Sequence, residues 1–279
     1  MNNAFYLVDK PAGCTSFDVL RRIRKALNMK KMGHTGTLDP FATGLLVVAT
    51  GRYTKLIPYL EKAQKSYTAT IKLGETSSTH DTEGEITATQ NFTMPTQKQI
   101  QEVINTQFMG DITQIPPQHS AIKVNGKRAY ESARKGEKVE IKPRKTTVHS
   151  LEIIDFNAPL MTLSMTVQAG FYVRALARDL GKVLGCGAYC SALRRTKVGD
   201  ITLEHATTID NLKPLDATTI LTKLPTMNIS AARYMDFTNG RAFPMSGADG
   251  YEYLVTLDGV TIGLGRMVHG KLQPKIVTV

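Results

Sequence analysis

The apolar and polar residues of this chain follow two periodicities, each confined to particular segments. Along residues 67–73 and 161–167 an apolar residue stands at every second position, which predicts strands with one buried face. Residues 5–8 and 45–49 are continuous apolar runs, and these predict short buried strands. The chain therefore supplies several strands for a sheet.

Three other segments carry apolar residues at helical spacing. The first begins near Thr15 or Ser16, either of which can cap it, and the second begins at Thr96, which forms a capping box with Gln99. The third follows Gly170. Their apolar positions are Phe17, Leu20, Ile23 and Leu27, then Ile100, Val103, Ile104 and Phe108, then Val173, Leu176, Leu180 and Val183. Each segment is predicted to be an amphipathic helix.

The order of these elements predicts the fold class. Strands and helices do not alternate one for one, so we expect an α+β fold with a mixed, largely antiparallel sheet flanked by helices. The pattern loosens between residues 213 and 228, and short strand-like runs at 254–257 and 261–264 follow, spaced by glycine turns. The sequence thus predicts a large domain over 1–225 and a small all-β domain over 226–279.

Composition adds an excess of positive charge to this picture. The 279 residues are 42% hydrophobic and 21% charged, and the formal net charge is +11. Such an excess favours a polyanionic partner, although a solvated basic surface is the alternative. Two segments concentrate the charge: residues 21–25 on the first helix, with four cations, and residues 123–145, with nine Lys or Arg. The first helix could contact phosphates, and the long basic excursion is typical of a functional or disordered segment.

Cysteine content and the N-terminal sequence predict the cellular compartment of the protein. Cys14, Cys186 and Cys190 are few and odd in number, which is typical of a reduced, cytoplasmic protein. The last two are four residues apart with no histidine cluster beside them, so apolar packing is favoured over a zinc site. No signal-peptide pattern is present, and no apolar run approaches the roughly 20 residues that span a bilayer.

Residues 30–44 are a candidate functional loop. They show no periodicity, hold three glycines and three threonines, and lie between a basic helix and a buried strand. The lysine of a phosphate-binding G-x-x-x-x-G-K-[ST] loop is missing, so ATP hydrolysis is disfavoured. Asp39 is the candidate for chemistry here. The alternative is an ordinary turn, because Asp before Pro40 commonly starts one.

Sequence motifs change the balance between these two interpretations. The stretch from Gly33 to Gly44 resembles the GHxGTLDPxATG signature of TruB-type pseudouridine synthases. Further motifs of that family follow in order over residues 9 to 195. They are Lys10-Pro11-x-Gly13-x-Thr15-Ser16, Lys65-x-Tyr67, Pro116-Pro117 with Ser120-Ala121-x-Lys123 and Gly126, and Gly170-Phe171-Tyr172-Val173-Arg174 followed by Asp179-Leu180-Gly181 and Leu193-Arg194-Arg195.

The resemblance implies the pseudouridine synthase fold and the isomerisation of a uridine in the T-loop of tRNA, without a cofactor. It implies that Asp39 is the nucleophile, attacking either C1′ of the ribose or C6 of the ring. Arg174 is the implied partner that favours the ionised carboxylate. Tyr67 is implied to stack on the uracil and to help remove the C5 proton, and a core tyrosine is the alternative.

Four more residues are implied to bind the substrate. The target base must leave the folded T-loop, and His34 matches the family residue that lodges near the space it vacates. Tyr172 and Leu193 are expected to line the pocket, and Lys10 of the N-terminal motif is assigned to substrate binding with them. No metal ligand is assigned.

The resemblance extends more loosely to the periphery. The tail is similar to a PUA domain through Asn239-Gly240 and the strand at 263–265, and is expected to contact the acceptor stem. The basic segment 123–145 is expected to clamp the T-arm. Residues 167–170 depart from the family, since Val-Gln-Ala-Gly replaces a frequent Cys-Ser-Lys-Gly run, and the tail is short. Recognition by shape and backbone, with steep salt dependence, is expected.

Three other functions compete with this one. A non-catalytic RNA chaperone or assembly factor could use the same scaffold, although intact Asp39, Tyr67 and Arg174 argue against an inactive enzyme. A guide-RNA-dependent synthase acting on rRNA would need partner proteins, and its N-terminal extension is not seen. A generic basic α+β protein is the third alternative. We expect a monomer without an obligatory protein partner.

Overall fold

Two β-sheets with helices packed against them organise the chain. The computed structural model describes residues 3–120, 122–124, 126–133, 136 and 139–279. The strands are β1 (Phe5–Lys10), β2 (Met32–His34), β3 (Thr43–Thr50), β4 (Lys65–Leu73), β5 (Glu75–Ser77), β6 (Ile86–Ala88), β7 (Gly110–Gln114), β8 (Lys123–Val124), β9 (Lys127–Arg128), β10 (Arg144–Asn157), β11 (Leu160–Val167), β12 (Ala188–Val198), β13 (Ile201–Thr202), β14 (Thr226–Asn228), β15 (Phe243–Pro244), β16 (Glu252–Leu257), β17 (Val260–Val268) and β18 (Lys271–Val277). The helices are α1 (Ser16–Leu27), α2 (Pro58–Glu61), α3 (Gln97–Gln107), α4 (Ala129–Ala133), α5 (Val173–Val183), α6 (Ala217–Ile220) and α7 (Ala231–Thr238), with 3-10 turns at Gly51–Leu56 and Leu203–His205. Within the described ranges, no helix is long and apolar enough to cross a membrane.

The first sheet has the strand order β1-β3-β12-β4-β11-β10-β7, with β2 beside β3 and β13 beside β12. Its described neighbours pair antiparallel, except that β3 and β12 run parallel where Thr43 and Gly44 face Arg194 and Arg195. This is the mixed, largely antiparallel sheet that the sequence predicts, and the α+β prediction is confirmed. The parallel contact brings the end of β12 beside the loop that precedes β3.

Strands β1 and β3 are buried on both faces, which explains why their sequences are continuous apolar runs. One face packs against α1 through Val19, Leu20 and Ile23. Thr15, one of the two caps that the sequence allows, is the N-cap of α1 and forms a capping box with Asp18.

Strands β4 and β11 bury one face each, against α3 and α5, as their alternating sequences predict. The capping box that Thr96 forms with Gln99 starts α3, also as predicted. Helix α5 packs its apolar residues Val173, Leu176 and Leu180 into the same core.

Several elements have no counterpart among the sequence predictions, and β2 and α7 show why. The short strand β2 lies inside residues 30–44, which the sequence predicts to be loop throughout; three residues that include a glycine are too few to show a period, and pairing with β3 makes the strand. Helix α7 lies in the tail that the sequence predicts to be all-β, and Phe237 is its buried residue. A single buried position leaves no helical repeat to detect.

The second sheet has the order β14-β16-β17-β18-β15 and packs against the first. Leu254 and Leu264 share an apolar cluster with Phe5 and Leu45 of the first sheet. The tail is thus a sheet-based unit, as predicted, and the boundary at residue 225 stays a prediction.

The basic segment 123–145 begins with the hairpin β8–β9, where Lys123 pairs with Arg128, and continues into α4. The predicted clamp also includes residues 125, 134, 135, 137 and 138, which lie outside the described residues. Its contact with RNA therefore stays a prediction.

Candidate active site

The loop between β2 and β3 carries Asp39 and is bound to the start of α1. Ser16 Oγ accepts a hydrogen bond from Leu38 N at 2.9 Å and donates one to Leu38 O at 3.2 Å. Asp39 O accepts from Ala42 N at 3.1 Å, which closes a turn. The backbone of Asp39 is thus engaged in the turn, whereas its side chain pairs elsewhere.

Arg174, in the first turn of α5, is the partner of that side chain and is only 4% exposed. Its Nε and Nη2 lie 3.0 Å from the two carboxylate oxygens of Asp39. Its Nη1 lies 2.9 Å from Asp81 Oδ2 and donates to Thr79 O at 3.1 Å. Nη2 also donates to His119 O at 2.9 Å. The five N–H groups of the guanidinium therefore meet five acceptors, which fixes its plane.

The charge balance of this cluster determines how readily Asp39 ionises. Burial raises the pKa of Asp39 above its ordinary value; the Arg174 guanidinium opposes the rise, and the Asp81 carboxylate adds to it. The effects of burial and of Arg174 are expected from the sequence and the family resemblance, whereas the effect of Asp81 is not. A partly desolvated carboxylate held in a bidentate pair is basic, oriented and suited to attack an electrophilic carbon.

Asp81 belongs to the site but is absent from the sequence predictions. It is 1% exposed, and it accepts hydrogen bonds from Thr79 Oγ1 and from Glu83 N, the latter at 2.9 Å. The sequence around it is a polar connection without periodicity, in which nothing distinguishes a buried carboxylate from a solvated one. The ion pair with Arg174 is the feature that identifies it.

A cavity of about 330 Å³ opens beside the Asp39 carboxylate. Small-molecule pockets of roughly this size are common in proteins. Six segments of the chain line it. The lining includes Thr37, Leu38 and Asp39 of the loop, Lys65 and Tyr67 of β4, Tyr172, Val173 and Arg174 at the start of α5, and Leu193 and Arg195 of β12. The structure therefore brings together five of the seven residues that the sequence assigns: Asp39, Tyr67, Arg174, Tyr172 and Leu193.

Arg195 is a second buried cation of the site and is 1% exposed. Its Nε donates to Leu45 O at 2.8 Å and its Nη2 to Gly36 O at 3.1 Å, so it supports the Asp39 loop from the β12 side. The close pairing of the Arg195 backbone with β3 requires Gly44, which has φ +100, because a Cβ atom there would lie 2.3 Å from the backbone oxygen of Arg195. The sequence gives Arg195 only as part of a motif, without this role.

Lys65 lines the same cavity, two residues before Tyr67 on β4. Its Nζ donates to the backbone carbonyls of Glu61 and Ala63. Burial lowers the pKa of Lys65 to about 8, and the positive charge of Arg195 contributes to the decrease. The ammonium therefore adds a positive charge to the wall at neutral pH.

Lys10 and His34 lie outside the described cavity lining. Lys10 is fully buried, and its Nζ donates to Pro11 O at 2.9 Å and to Pro40 O at 3.3 Å. It thus supports the residue after Asp39, and its assignment to substrate binding stays a prediction. His34 is half-buried on β2, where burial and Arg195 lower its pKa, and its predicted contact with RNA also stays a prediction.

In the described part of the chain, no group of three or more His, Cys, Asp or Glu side chains is placed to hold a metal ion. Cys186 and Cys190 are buried free thiols within the apolar core, the packing role that their spacing predicts.

Comparison with known proteins gives consistent matches over the whole chain. The model described as "TruB family pseudouridylate synthase (N terminal domain)" matches residues 24–173, and "tRNA pseudouridylate synthase B C-terminal domain" matches residues 174–223. A tRNA pseudouridine synthase B from Dechloromonas aromatica (strain RCB) is 41% identical over 95% of this chain and 92% of its own. One from Thermobifida fusca (strain YX) is 39% identical over 99% of both. A chain in the crystal structure of a Cbf5-Nop10-Gar1 complex superposes with a TM-score of 0.71 at 25% identity, covering 99% of this chain and 85% of that one.

Proposed function

Because this chain belongs to the TruB family of pseudouridylate synthases and so isomerises a uridine of tRNA to pseudouridine, we propose that Asp39 is its nucleophile and that the target uridine lies in the T-loop. The bidentate contact between Arg174 and Asp39 at the cavity wall is the observation that carries this proposal. It orients both carboxylate oxygens and leaves the cavity beside them for a base.

The reaction needs a nucleophile and a proton acceptor but no redox change. The N1–C1′ bond breaks, the uracil turns over, and a C5–C1′ bond forms; the C5 proton is then lost and N1 gains a proton. The Asp39 carboxylate attacks either C1′ or C6, forms a covalent intermediate and is released at the end of the cycle. Its raised pKa makes it more basic than a hydrated carboxylate, which favours attack while it remains ionised.

A uracil reaches Asp39 only after it leaves the stack of the RNA. Flipping costs a few kcal/mol, and stacking and hydrogen bonds in the pocket offset that cost. Tyr67 offers a ring face for this stacking, and Tyr172 and Leu193 close the cavity around the base. Tyr67 is also proposed to help remove the C5 proton: its phenolic oxygen takes up that proton as the hydroxyl passes its own proton to solvent.

The proposal also states which parts of the tRNA contact which parts of the protein. The T-arm lies along the basic segment 123–145, and the tail built on the second sheet reaches the acceptor stem. Exposed Lys142, Arg144 and Lys145 at the end of that segment supply positive charge for the T-arm. The enzyme acts as a cytoplasmic monomer, with residues 1–225 as the catalytic domain.

Tritium release tests the role of Asp39. A tRNA transcript tritiated at uracil C5 is incubated with the protein, with Asp39→Asn and with the exposed control Asp210→Asn, without added cofactor or metal. We expect release by the unaltered protein and by the control, at least about 10³-fold slower release by Asp39→Asn, and equal RNA binding by all three. Binding without release by the unaltered protein would instead identify a non-catalytic RNA chaperone.

A second substrate tests the T-loop assignment. A T-arm minihelix and the same minihelix with its target uridine replaced by cytidine are compared with the full transcript. The first should release tritium and the second should not. Release from a transcript whose T-loop lacks uridine would place the target elsewhere in the tRNA.

A further inference from the structure

Helix α1 carries an exposed aromatic ring, an exposed guanidinium and a partly buried one along one line of its surface. Phe17 is 56% exposed although it is apolar. The guanidinium carbons of Arg21 and Arg24 lie 5.8 and 5.2 Å from the centroid of its ring, within the range of cation–π attraction. These positions are four and seven residues after Phe17, the spacing that forms one stripe on a helix. We call Phe17, Arg21 and Arg24 the α1 stripe.

The α1 stripe is not required for packing or for internal charge balance. The buried residues of the helix lie on another face, at Val19, Leu20 and Ile23. Among the described residues, Arg24 has no carboxylate within ion-pair distance, and Arg21 shares only Asp18, in a pair that is open to solvent. Exposed pairs of this kind contribute at most about 1 kcal/mol. The stripe therefore has positive charge available for an external anion.

The position of α1 places this charge beside the catalytic loop. Ser16, immediately before Phe17, exchanges two hydrogen bonds with Leu38, the neighbour of Asp39. At 1.5 Å per residue, Arg24 lies roughly 12 Å along the helix axis from Ser16. An RNA whose uridine occupies the cavity is thus close enough for its neighbouring nucleotides to reach the stripe.

We propose that the α1 stripe is a second RNA contact of this enzyme, which binds the ribose–phosphate backbone of the tRNA next to the flipped uridine. The inference rests on the proposed function, because it needs a uridine at Asp39. Guanidiniums bind phosphate oxygens in a bidentate manner, and the Phe17 ring holds both of them in place before binding. The ring also offers an apolar face on which an unpaired base can stack. This favours RNA over an acidic protein as the partner, because a protein has no base to stack there.

Two double variants of equal charge loss test the phosphate contact. Arg21→Gln with Arg24→Gln removes the cations of the stripe. The matched control is Arg22→Gln with Lys25→Gln. It removes two cations that each follow a stripe residue by one position and therefore lie about 100° farther round the helix axis. The Kd for the tRNA transcript is measured for each at several salt concentrations, together with single-turnover tritium release at saturating protein.

The stripe variant should raise Kd about 10- to 100-fold near 0.1 M salt and reduce the slope of log Kd against log salt by about 1.5 to 2, as for two lost phosphate contacts. The control should change Kd less than about threefold, and single-turnover release should remain unchanged in both. Equal losses in the two variants would mean a diffuse charge effect and would overturn the proposal, as would no loss in either.

The ring of Phe17 has its own test. Phe17→Ala should weaken tRNA binding several-fold without a change of charge, whereas Phe17→Tyr, which keeps the ring, should bind like the unaltered protein. If Phe17→Ala binds normally, the ring has no part in the contact and the stripe as defined is wrong. In that case tritium release by the unaltered protein would persist, whereas failure of the proposed function would abolish it.

Discussion

Arg174 contacts both carboxylate oxygens of Asp39, with each N–O distance at 3.0 Å, while it is itself almost completely buried. A lysine at this position would keep the charge but not the planar fork, and the carbonyl contacts of the guanidinium would be lost with it. The pair therefore depends on geometry as well as on charge.

Arg174→Lys should accordingly reduce single-turnover tritium release by about 100-fold or more, because the carboxylate of Asp39 is no longer held in position. The free energy of unfolding should fall by about 1–3 kcal/mol, since acceptors are left without donors. Arg178→Lys, on the same helix and paired with the partly exposed Asp179, is the control and should change both quantities little. Near-normal release by Arg174→Lys would show that charge alone suffices.

Asp81→Asn should shift the acidic limb of the activity profile. The Asp81 carboxylate raises the pKa of Asp39, so its removal should lower that pKa. The nucleophile must be ionised, and a raised pKa means that activity is lost as pH falls, at a pH above the ordinary aspartate value of 3.8. The variant should therefore keep its single-turnover rate to lower pH than the unaltered protein.

The pH dependence of single-turnover release measures this shift, and Asp210→Asn, which removes an exposed carboxylate away from the cavity, is the control. A profile of Asp81→Asn that moves to higher pH would contradict the assigned charge balance. Denaturant unfolding of both variants would show whether the fold is retained at each pH.

Tyr67→Phe separates the two roles proposed for Tyr67. The ring that stacks on the uracil remains, while the hydroxyl that helps remove the C5 proton is lost. We expect unchanged Kd for tRNA and a rate lowered by about 10²–10⁴-fold, the usual contribution of a positioned acid or base. Tyr234→Phe in α7 is the control. A normal rate for Tyr67→Phe would assign the proton to another group.

Asp216→Asn should weaken the junction between the two sheets. Asp216 accepts hydrogen bonds from Tyr53 Oη and Thr261 Oγ1, both at 2.6 Å, and caps α6 through Thr218 N at 2.9 Å. Loss of the charge-assisted bonds should lower the free energy of unfolding by about 1–3 kcal/mol at pH 7. Asp210→Asn, an exposed neighbour, should leave it unchanged.

The same junction has a pH dependence of known sign. Although burial opposes it, the hydrogen bonds from Thr218, Thr261 and Tyr53 hold the pKa of Asp216 below 3.8. A carboxyl with a depressed folded pKa stabilises the fold above its unfolded pKa, and this stabilisation is lost as pH falls through the folded value. The stability difference between the unaltered protein and Asp216→Asn should therefore be constant near neutrality and shrink below about pH 3.8. A difference that grows on acidification would contradict the assignment.

Much of the fold was predictable because burial leaves a local record in the sequence. The period-2 alternation in β4 and β11, the continuous runs in β1 and β3 and the capping box of Thr96 with Gln99 identify elements whose faces are set by their own residues. The motif around Asp39 and the motif that contains Arg174 likewise identified two residues that the fold brings into contact, although 135 positions separate them.

Only the tertiary structure decided how the charged residues combine. Asp81 in a polar connection and Arg195 in β12 carry no periodic signal, since one buried charge does not repeat. The approach of Asp81 to Arg174, and of Arg195 to Gly36 and Leu45, depends on strand pairing that joins segments far apart in the chain. The sequence by itself determined which segments form the main strands and helices and which aspartate is the candidate nucleophile. The register of β3 beside β12 and the placement of α5 decided which charges surround that aspartate, because a pKa depends on distances that no local pattern encodes.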